Sequence, residues 1–365
     1  MTSSRWYALA AVVALCAVPV AAQSPKPLGK EDFKVGIELG HTPIVSQGRT
    51  GTCWSFATVS FLESEIERIH GEDVDLSEMH TVYWGYVEKA RRFVRLHGKA
   101  QFSEGGLSHD VTAIASRHGL APLAAYTGLV GDGQVHNHAA LSKAVEAVMQ
   151  PFVAGQRPAG ELEAAVRAVL DEHLGAPPET FEAKGVTVTP VSYAKDLLNL
   201  PFADYVELMS LESEGFGSRA ELLVPDNWMR YQGYWNVPVA DLLANVDHAL
   251  EKGYTIALDC DVSERTNGNG LMKLSAELEA GEIGDELRQQ MFDDRRTTDD
   301  HLMQIVGTAD GPDGKTWYLV KNSWGNRGPF DGYVMMSRNY LAAKTLGIMV
   351  HRDGLLPATR DTFAR

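Results

Sequence analysis

Hydrophobic positions change their spacing near residue 238. Before it, apolar residues recur every three to four positions, the period of a helix with one buried face; beyond it they come in short runs bounded by glycine, proline and aspartate, as in buried strands. In the first regime Phe56, Val59, Leu62 and Ile66 alternate with Glu63, Glu65, Glu67 and Arg68, which predicts an amphipathic helix from Cys53 to about His70. The same spacing predicts helices at 79–96, 107–118, 139–149 and 159–174, the last two split by Pro151 and by Gly155-Gln-Arg-Pro158. One more helix, 238–252, opens with a proline whose missing N–H is not needed in a first turn. Strands follow at 255–262, 302–308, 316–321, 332–337 and 345–351. The expected fold class is α+β, a helical lobe followed by a β-rich lobe with a cleft between them.

The first 22 residues read as an export signal rather than as fold. Arg5 precedes an apolar run from Trp6 to Val20, and Val20-Ala21-Ala22 before Gln23 is a small-residue cleavage site. The run is too short for a stable membrane span, and Leu15 before Cys16 does not suit lipid attachment. The predicted localisation is therefore exported, periplasmic or secreted. Removal of the signal leaves two cysteines, Cys53 and Cys260. Cys260 sits in an apolar strand as a buried thiol, and no disulfide is expected because a bridge would consume Cys53. A length of 365 residues with 44% hydrophobic content supports one large two-lobed domain. The formal net charge of −15 argues against nucleic acid and anionic membranes, and makes cationic peptides the better-steered ligands.

The candidate chemistry centres on Gln47-Gly-Arg-Thr-Gly-Thr-Cys53-Trp54, which runs straight into the first helix. A cysteine there meets the positive end of the helix dipole, which with a neighbouring imidazolium lowers a thiol pKa to roughly 3.5–7.5. Downstream, His301 opens a strand, a turn at Asp310-Gly-Pro-Asp-Gly-Lys315 reverses the chain, and the next strand ends at Asn322-Ser-Trp-Gly325. That hairpin brings His301 beside Asn322. A histidine can take the thiol proton and return it to a leaving amine, an asparagine oxygen can fix its tautomer, and the Gln47 amide can join the Cys53 N–H as an oxyanion hole. Trp324 would shield the His–Asn hydrogen bond from water.

In these four separated elements the chain resembles the papain-like cysteine peptidases. The resemblance implies a papain-like two-lobed fold and a site of Gln47, Cys53, His301 and Asn322. Two features depart from secreted papains: Thr50 stands where they carry a disulfide cysteine, and His301 lies 248 positions after Cys53, against family spacings of about 130–150. These departures are similar to the bleomycin hydrolase and aminopeptidase C branch, as are Glu104-Gly-Gly-Leu, Gly253 to Val262 and Gly332-Tyr-Val-Met-Met-Ser. The implied organisation is a helical lobe at about 40–134, a helical insertion at about 135–220, a β-rich lobe at about 225–352 and a tail at 353–365. Gly105, Gly106, Asp261, Asp300 and Trp324 are the implied substrate-binding positions, Asp261 being equally readable as structural. Asp300 beside His301 would raise the imidazole pKa.

The implied function is an exported cysteine peptidase acting as an aminopeptidase on peptides, with no cofactor and no metal. His136-Asn-His138 and the acidic group Asp293, Asp294, Asp299 and Asp300 read as solvated loop, since neither has zinc-ligand spacing. The same Cys/His/Asn geometry also serves an endopeptidase, an acyl transferase or an isopeptidase. A non-catalytic papain-like binding protein is a further alternative, although such relatives typically lose the cysteine or histidine and both stand here. About thirty residues between the signal and Cys53 are too few for a long inhibitory propeptide. Cleft access would then be limited by the insertion, by walls of a homo-oligomer, or by the tail, which in the resembled branch meets the substrate amino group.

Overall fold

A computed structural model describes residues 28–131, 135–265 and 267–364; the segment expected to be an export signal and Arg365 lie outside the described residues. After strand β1 (Lys34–Glu38), three helices build the helical lobe: α1 (Cys53–His70), α2 (Glu78–Arg95) and α3 (Ser108–His118). Ser77 caps α2 by accepting the His80 N–H at 3.1 Å, and Gly71, at φ 65°, closes α1 in the left-handed conformation.

Helix α1 has the predicted bounds, but its polar side is buried as well as its apolar one. Every residue from Cys53 to Ile66 is buried, because α2 and α3 cover one side and the sheet the other. Glu63 and Glu65 are therefore interior carboxylates. Glu63 accepts from the Thr42 hydroxyl and from the Leu76 N–H at 2.8 Å, and Glu65 takes a bidentate pair of bonds from Arg68 at 2.8 and 2.7 Å. Buried polar groups persist when they are paired.

The predicted insertion supplies helices α4 (Ala139–Val153) and α5 (Leu162–Leu174), which pack on each other and on α2. Next come a small hairpin, β2 (Phe181–Ala183) and β3 (Val186–Val188), and then β4 (Tyr205–Met209). The predicted boundary at 220 thus falls inside the main sheet, since β4 pairs with the last strand. At its start the segment touches the loop before Cys53: the Arg49 N–H donates to the His136 carbonyl at 2.8 Å. His138 is 2% exposed rather than solvated.

The remaining strands are β5 (Arg219–Ala220), β6 (Tyr234–Asn236), β7 (Ile256–Cys260), β8 (Leu271–Met272), β9 (His301–Asp310), β10 (Thr316–Lys321), β11 (Tyr333–Ser337) and β12 (Thr345–His351). They form a ten-stranded sheet in the order β5-β6-β4-β12-β7-β9-β10-β11-β8, with β1 on β9. Alternation along the strands gives the sheet two cores. Ala257, Leu302 and Met349 face α1, whereas Leu258, Met303, Ile305, Ile348 and Val350 pack with the Val239–Glu251 helix on the other face. Among the described residues no helix is long and apolar enough to cross a membrane.

The tail does not reach the cleft. Pro357 starts a helix, Pro357–Phe363, rather than preventing one. Phe363 stacks on Trp235 with ring centroids 4.7 Å apart. Asn245 donates to Thr359 Oγ1 and accepts the Leu356 N–H, both at 2.9 Å. These contacts join the core on the face away from α1. Phe363→Ala should therefore lower the unfolding free energy in urea by about 3 kcal/mol. A change below about 0.5 kcal/mol would show the tail to be a surface appendage.

Candidate active site

Cys53 is the first residue of α1, so its N–H has no acceptor within the helix. The approach loop is held by Glu104: its carboxylate accepts the Gly51 N–H at 2.6 Å and the Ser142 hydroxyl at 2.8 Å, and its carbonyl accepts the Trp54 indole N–H at 2.9 Å. A side chain on Gly51 would come within 3.0 Å of the Glu104 Cβ, so the close approach favours glycine. Glu104 positions the nucleophile without touching it, a role its sequence neighbourhood does not announce.

Across the lobe boundary β9 begins at His301. The Cys53 sulfur is within hydrogen-bonding reach of the Leu302 N–H, which sets the thiol against the start of that strand. His301 Nε2 lies 2.8 Å from Asn322 Oδ1. Oδ1 also accepts the Ser323 N–H at 2.7 Å, which orients the amide and assigns the imidazole proton to Nε2, leaving Nδ1 free. Trp324 stacks on the imidazole at 4.7 Å and is 43% exposed, a lid over the His–Asn bond. Gln47 is fixed from both ends: Oε1 accepts the Ser323 hydroxyl at 2.6 Å and Nε2 donates to the Thr50 carbonyl at 2.7 Å. Its second amide N–H has no acceptor among the described residues.

Electrostatics here are ruled by burial. Cys53 is 9% exposed and His301 4%. Burial pushes the Cys53 thiol up to about 12, outweighing the Leu302 N–H that favours its thiolate. It pushes the His301 imidazole down to about 4, outweighing the Asn322 hydrogen bond. A helix N-terminus contributes about 0.3–2 kcal/mol, less than the several kcal/mol that burying a lone charge costs. By these magnitudes the helix end alone does not offset the burial of Cys53, so the expected ionisation needs the neighbouring imidazolium as well. A thiolate here would need a positive charge formed beside it, and the imidazole that precedes Leu302 is the group that would carry it. The expected influence of Asp300 on His301 is not found. Asp300 instead accepts the Thr298 hydroxyl at 3.0 Å and the Val262 N–H at 3.3 Å.

Of the remaining sequence candidates, Gly106 is buried against Trp54, and the Gly105 carbonyl accepts from the Lys89 ammonium. Asp261 is fully buried. Its acceptors are filled by the Ser263 N–H and hydroxyl, both at 2.7 Å, by the Thr298 N–H at 3.0 Å and by Lys344 at 3.4 Å. Three other carboxyl groups, Asp226, Asp259 and Asp299, lie close enough to Cys53 for their charge to oppose its ionisation. Sequence reading passed over Asp226 and Asp259 and placed Asp299 in a solvated loop, whereas Asp299 is half-buried and faces Asp259. Among the described residues no group of three or more His, Cys, Asp or Glu is arranged to hold a metal ion.

The family model described as the Peptidase C1-like family matches residues 5–98 and 157–364. Aminopeptidase C of Lactococcus lactis subsp. lactis is 22% identical over 87% of this chain and 82% of its own length. Aminopeptidase G of Lactobacillus delbrueckii subsp. lactis is 23% identical over 87% and 83%. The crystal structure of PepW from Lactobacillus rhamnosis HN001 superposes with a TM-score of 0.72 at 17% identity, covering 93% of this chain and 85% of that one. These relatives are of the branch that the sequence motifs resemble, and the shared fold is the papain-like α+β fold.

If the thiolate forms only with an imidazolium beside it, removing His301 should leave Cys53 unreactive. In His301→Ala, alkylation of Cys53 by iodoacetamide at pH 7 should fall at least about tenfold, and its rise with pH should move toward the buried-thiol range. Alkylation as fast as in the unaltered protein would show that the helix end alone ionises the thiol.

Proposed function

The chain belongs to the Peptidase C1-like family of papain-like cysteine peptidases, and we propose that it is an exported aminopeptidase working through Cys53, His301, Asn322 and Gln47. The observation that carries this reading is the junction of α1 and β9, with the Cys53 sulfur at the Leu302 N–H and the adjacent His301 held by Asn322 at 2.8 Å. In the first half-reaction Sγ attacks the substrate carbonyl carbon while its proton passes to His301 Nδ1. The resulting oxyanion is held by the Cys53 N–H and the free Gln47 N–H. As the C–N bond breaks, the imidazolium gives that proton to the leaving amine. Water then attacks the thioester carbonyl, with His301 taking its proton and returning it to Sγ as the carboxylic acid departs.

The names of the relatives support exopeptidase action, and so does one local feature. The segment around Asp226 crosses the glycine stretch beside the nucleophile: Asp226 Oδ1 accepts from Gln101 at 2.8 Å, and its Oδ2 would stand 1.8 Å from a Cβ on Gly105. Asp226 is thereby packed on Gly105, next to the Glu104 that holds the loop before Cys53. Export is the reading of Arg5, the apolar run to Val20 and the Ala21-Ala22 site.

A fluorogenic peptide offered with its N-terminus free should be hydrolysed, and its acetylated form should be hydrolysed at least about tenfold less well in kcat/KM. Equal rates would favour an endopeptidase, and incorporation of a labelled amine in place of water would favour acyl transfer. Gln47→Ala should reduce kcat by about 10²–10³ with little change in KM; a large rise in KM with kcat intact would mean that Gln47 binds substrate instead. N-terminal sequencing of the protein from cell fractions should read Gln23 first, and an intact Met1 on soluble protein would overturn export.

A further inference from the structure

Asp259 is a buried carboxyl group with nothing to hold it. It lies on β7 opposite Leu302, one register step from the Cys260–His301 pair. Its side chain points to the α1 face of the sheet, as Ala257 does and Leu258 and Cys260 do not. It lies close enough to Cys53 for its charge to oppose the ionisation of the thiol. Asp259 is 4% exposed, and neither carboxyl oxygen receives an N–H or O–H from any described residue. What faces it is a second carboxyl, Asp299, two residues before His301, close enough for the two to share a proton.

The surroundings sharpen the anomaly. The charges acting most strongly on Asp259 are negative: Asp299, Asp226 and Glu207. Glu207 is already paired with His109 at 2.9 Å. Those acting on Asp299 are Asp226 and Asp300. The nearby cation, Lys89, is spent on the Ser103 and Gly105 carbonyls and on Asp110, Asp226 and Glu104. Glu63, Glu65 and Asp261, by contrast, are interior carboxyl groups with donors on them. An unpaired interior carboxyl costs several kcal/mol. Asp259 keeps vacant acceptors among acidic neighbours close to Cys53, a setting that suits an ammonium group, with three N–H donors and no acceptor.

We propose that Asp259 and Asp299, with Asp226 laid over Gly105, form the receptor for a cationic ammonium group of the substrate, its free α-amino end or a lysine side chain. This deepens the aminopeptidase reading and rests on it. It replaces the tail carboxylate as the anchor, since the tail helix is docked on the far face of the sheet. The carboxyl pair gives up its shared proton as the ammonium enters, so the substrate's positive charge meets a doubly negative pair.

The test is binding without turnover. In full-length Cys53→Ala protein at pH 6, calorimetry should show the free-amino form of a leucyl peptide binding at least about tenfold more tightly than its acetylated form. Binding should also release a proton, read as a heat that depends on the buffer. Adding Asp259→Asn with Asp299→Asn should abolish both the preference and the proton release. An acetylated peptide carrying lysine forms the second arm: if it alone shows the preference, the receptor takes a side chain, and if the free-amino leucyl peptide alone does, it takes the α-amino group. Equal binding of free, acetylated and lysine peptides would overturn the proposal, whether or not the unaltered protein hydrolyses peptides. Asp259→Asn should also raise the melting temperature, because it removes a buried unpaired carboxyl. A fall in melting temperature, with every peptide weakened alike, would make the pair structural and overturn the proposal equally.

Discussion

The rest of the structure depends on the packing of the first turn of α1 against the first residues of β9. It joins the two lobes, buries the only thiol at a helix start among the described residues, and puts Cys53 against the N–H that follows His301. Helices α2 and α3 and the sheet enclose α1 from opposite sides, so the nucleophile stands on an element that cannot tilt without disturbing both cores. The polar contacts of the approach serve the same end. Glu104 fixes Gly51 and Trp54, and Ser323 fixes Gln47 while its own N–H orients Asn322.

Burial at this junction decides the electrostatics. A solvated cysteine at a helix end would need only the dipole to ionise; a buried one needs a partner that becomes positive at the same moment. In the proposed mechanism His301 is that partner, with Trp324 stacked on its face over the Asn322 bond. The same low-dielectric setting makes the carboxyl group of Asp259 conspicuous, because a charge there has no water to lean on.

Much of this was legible in the sequence because the chemistry is local. Gly51-Thr-Cys53-Trp54 followed by helical periodicity announces a nucleophile at a helix start, and a ten-residue strand, a Gly-Pro-Asp-Gly turn and a second strand announce a hairpin that must bring His301 to Asn322. What was not legible depends on distant partners. Strand β4 is five residues whose identity comes from pairing with β12, more than a hundred positions later. Glu63 and Glu65 look like a solvent face because their partners Thr42, Leu76 and Arg68 carry no periodic signal. Gly354 and Pro357 suggest an irregular tail, yet in a first helical turn the missing N–H of Pro357 is harmless. Asp259 hides inside an apolar strand, and only the register with Leu302 shows which face it occupies.

These strands of the account converge on a single covalent event, transfer of the first residue of a free peptide to Cys53. The most direct measurement is the intact mass of the protein after rapid acid quenching during turnover of a peptide with a free N-terminus. The account predicts an adduct equal to the one N-terminal residue as an acyl group, mapped to Cys53 and absent in Cys53→Ala. Peptide turnover with no adduct at Cys53 under any quench, or an adduct carried by Cys260, would contradict it.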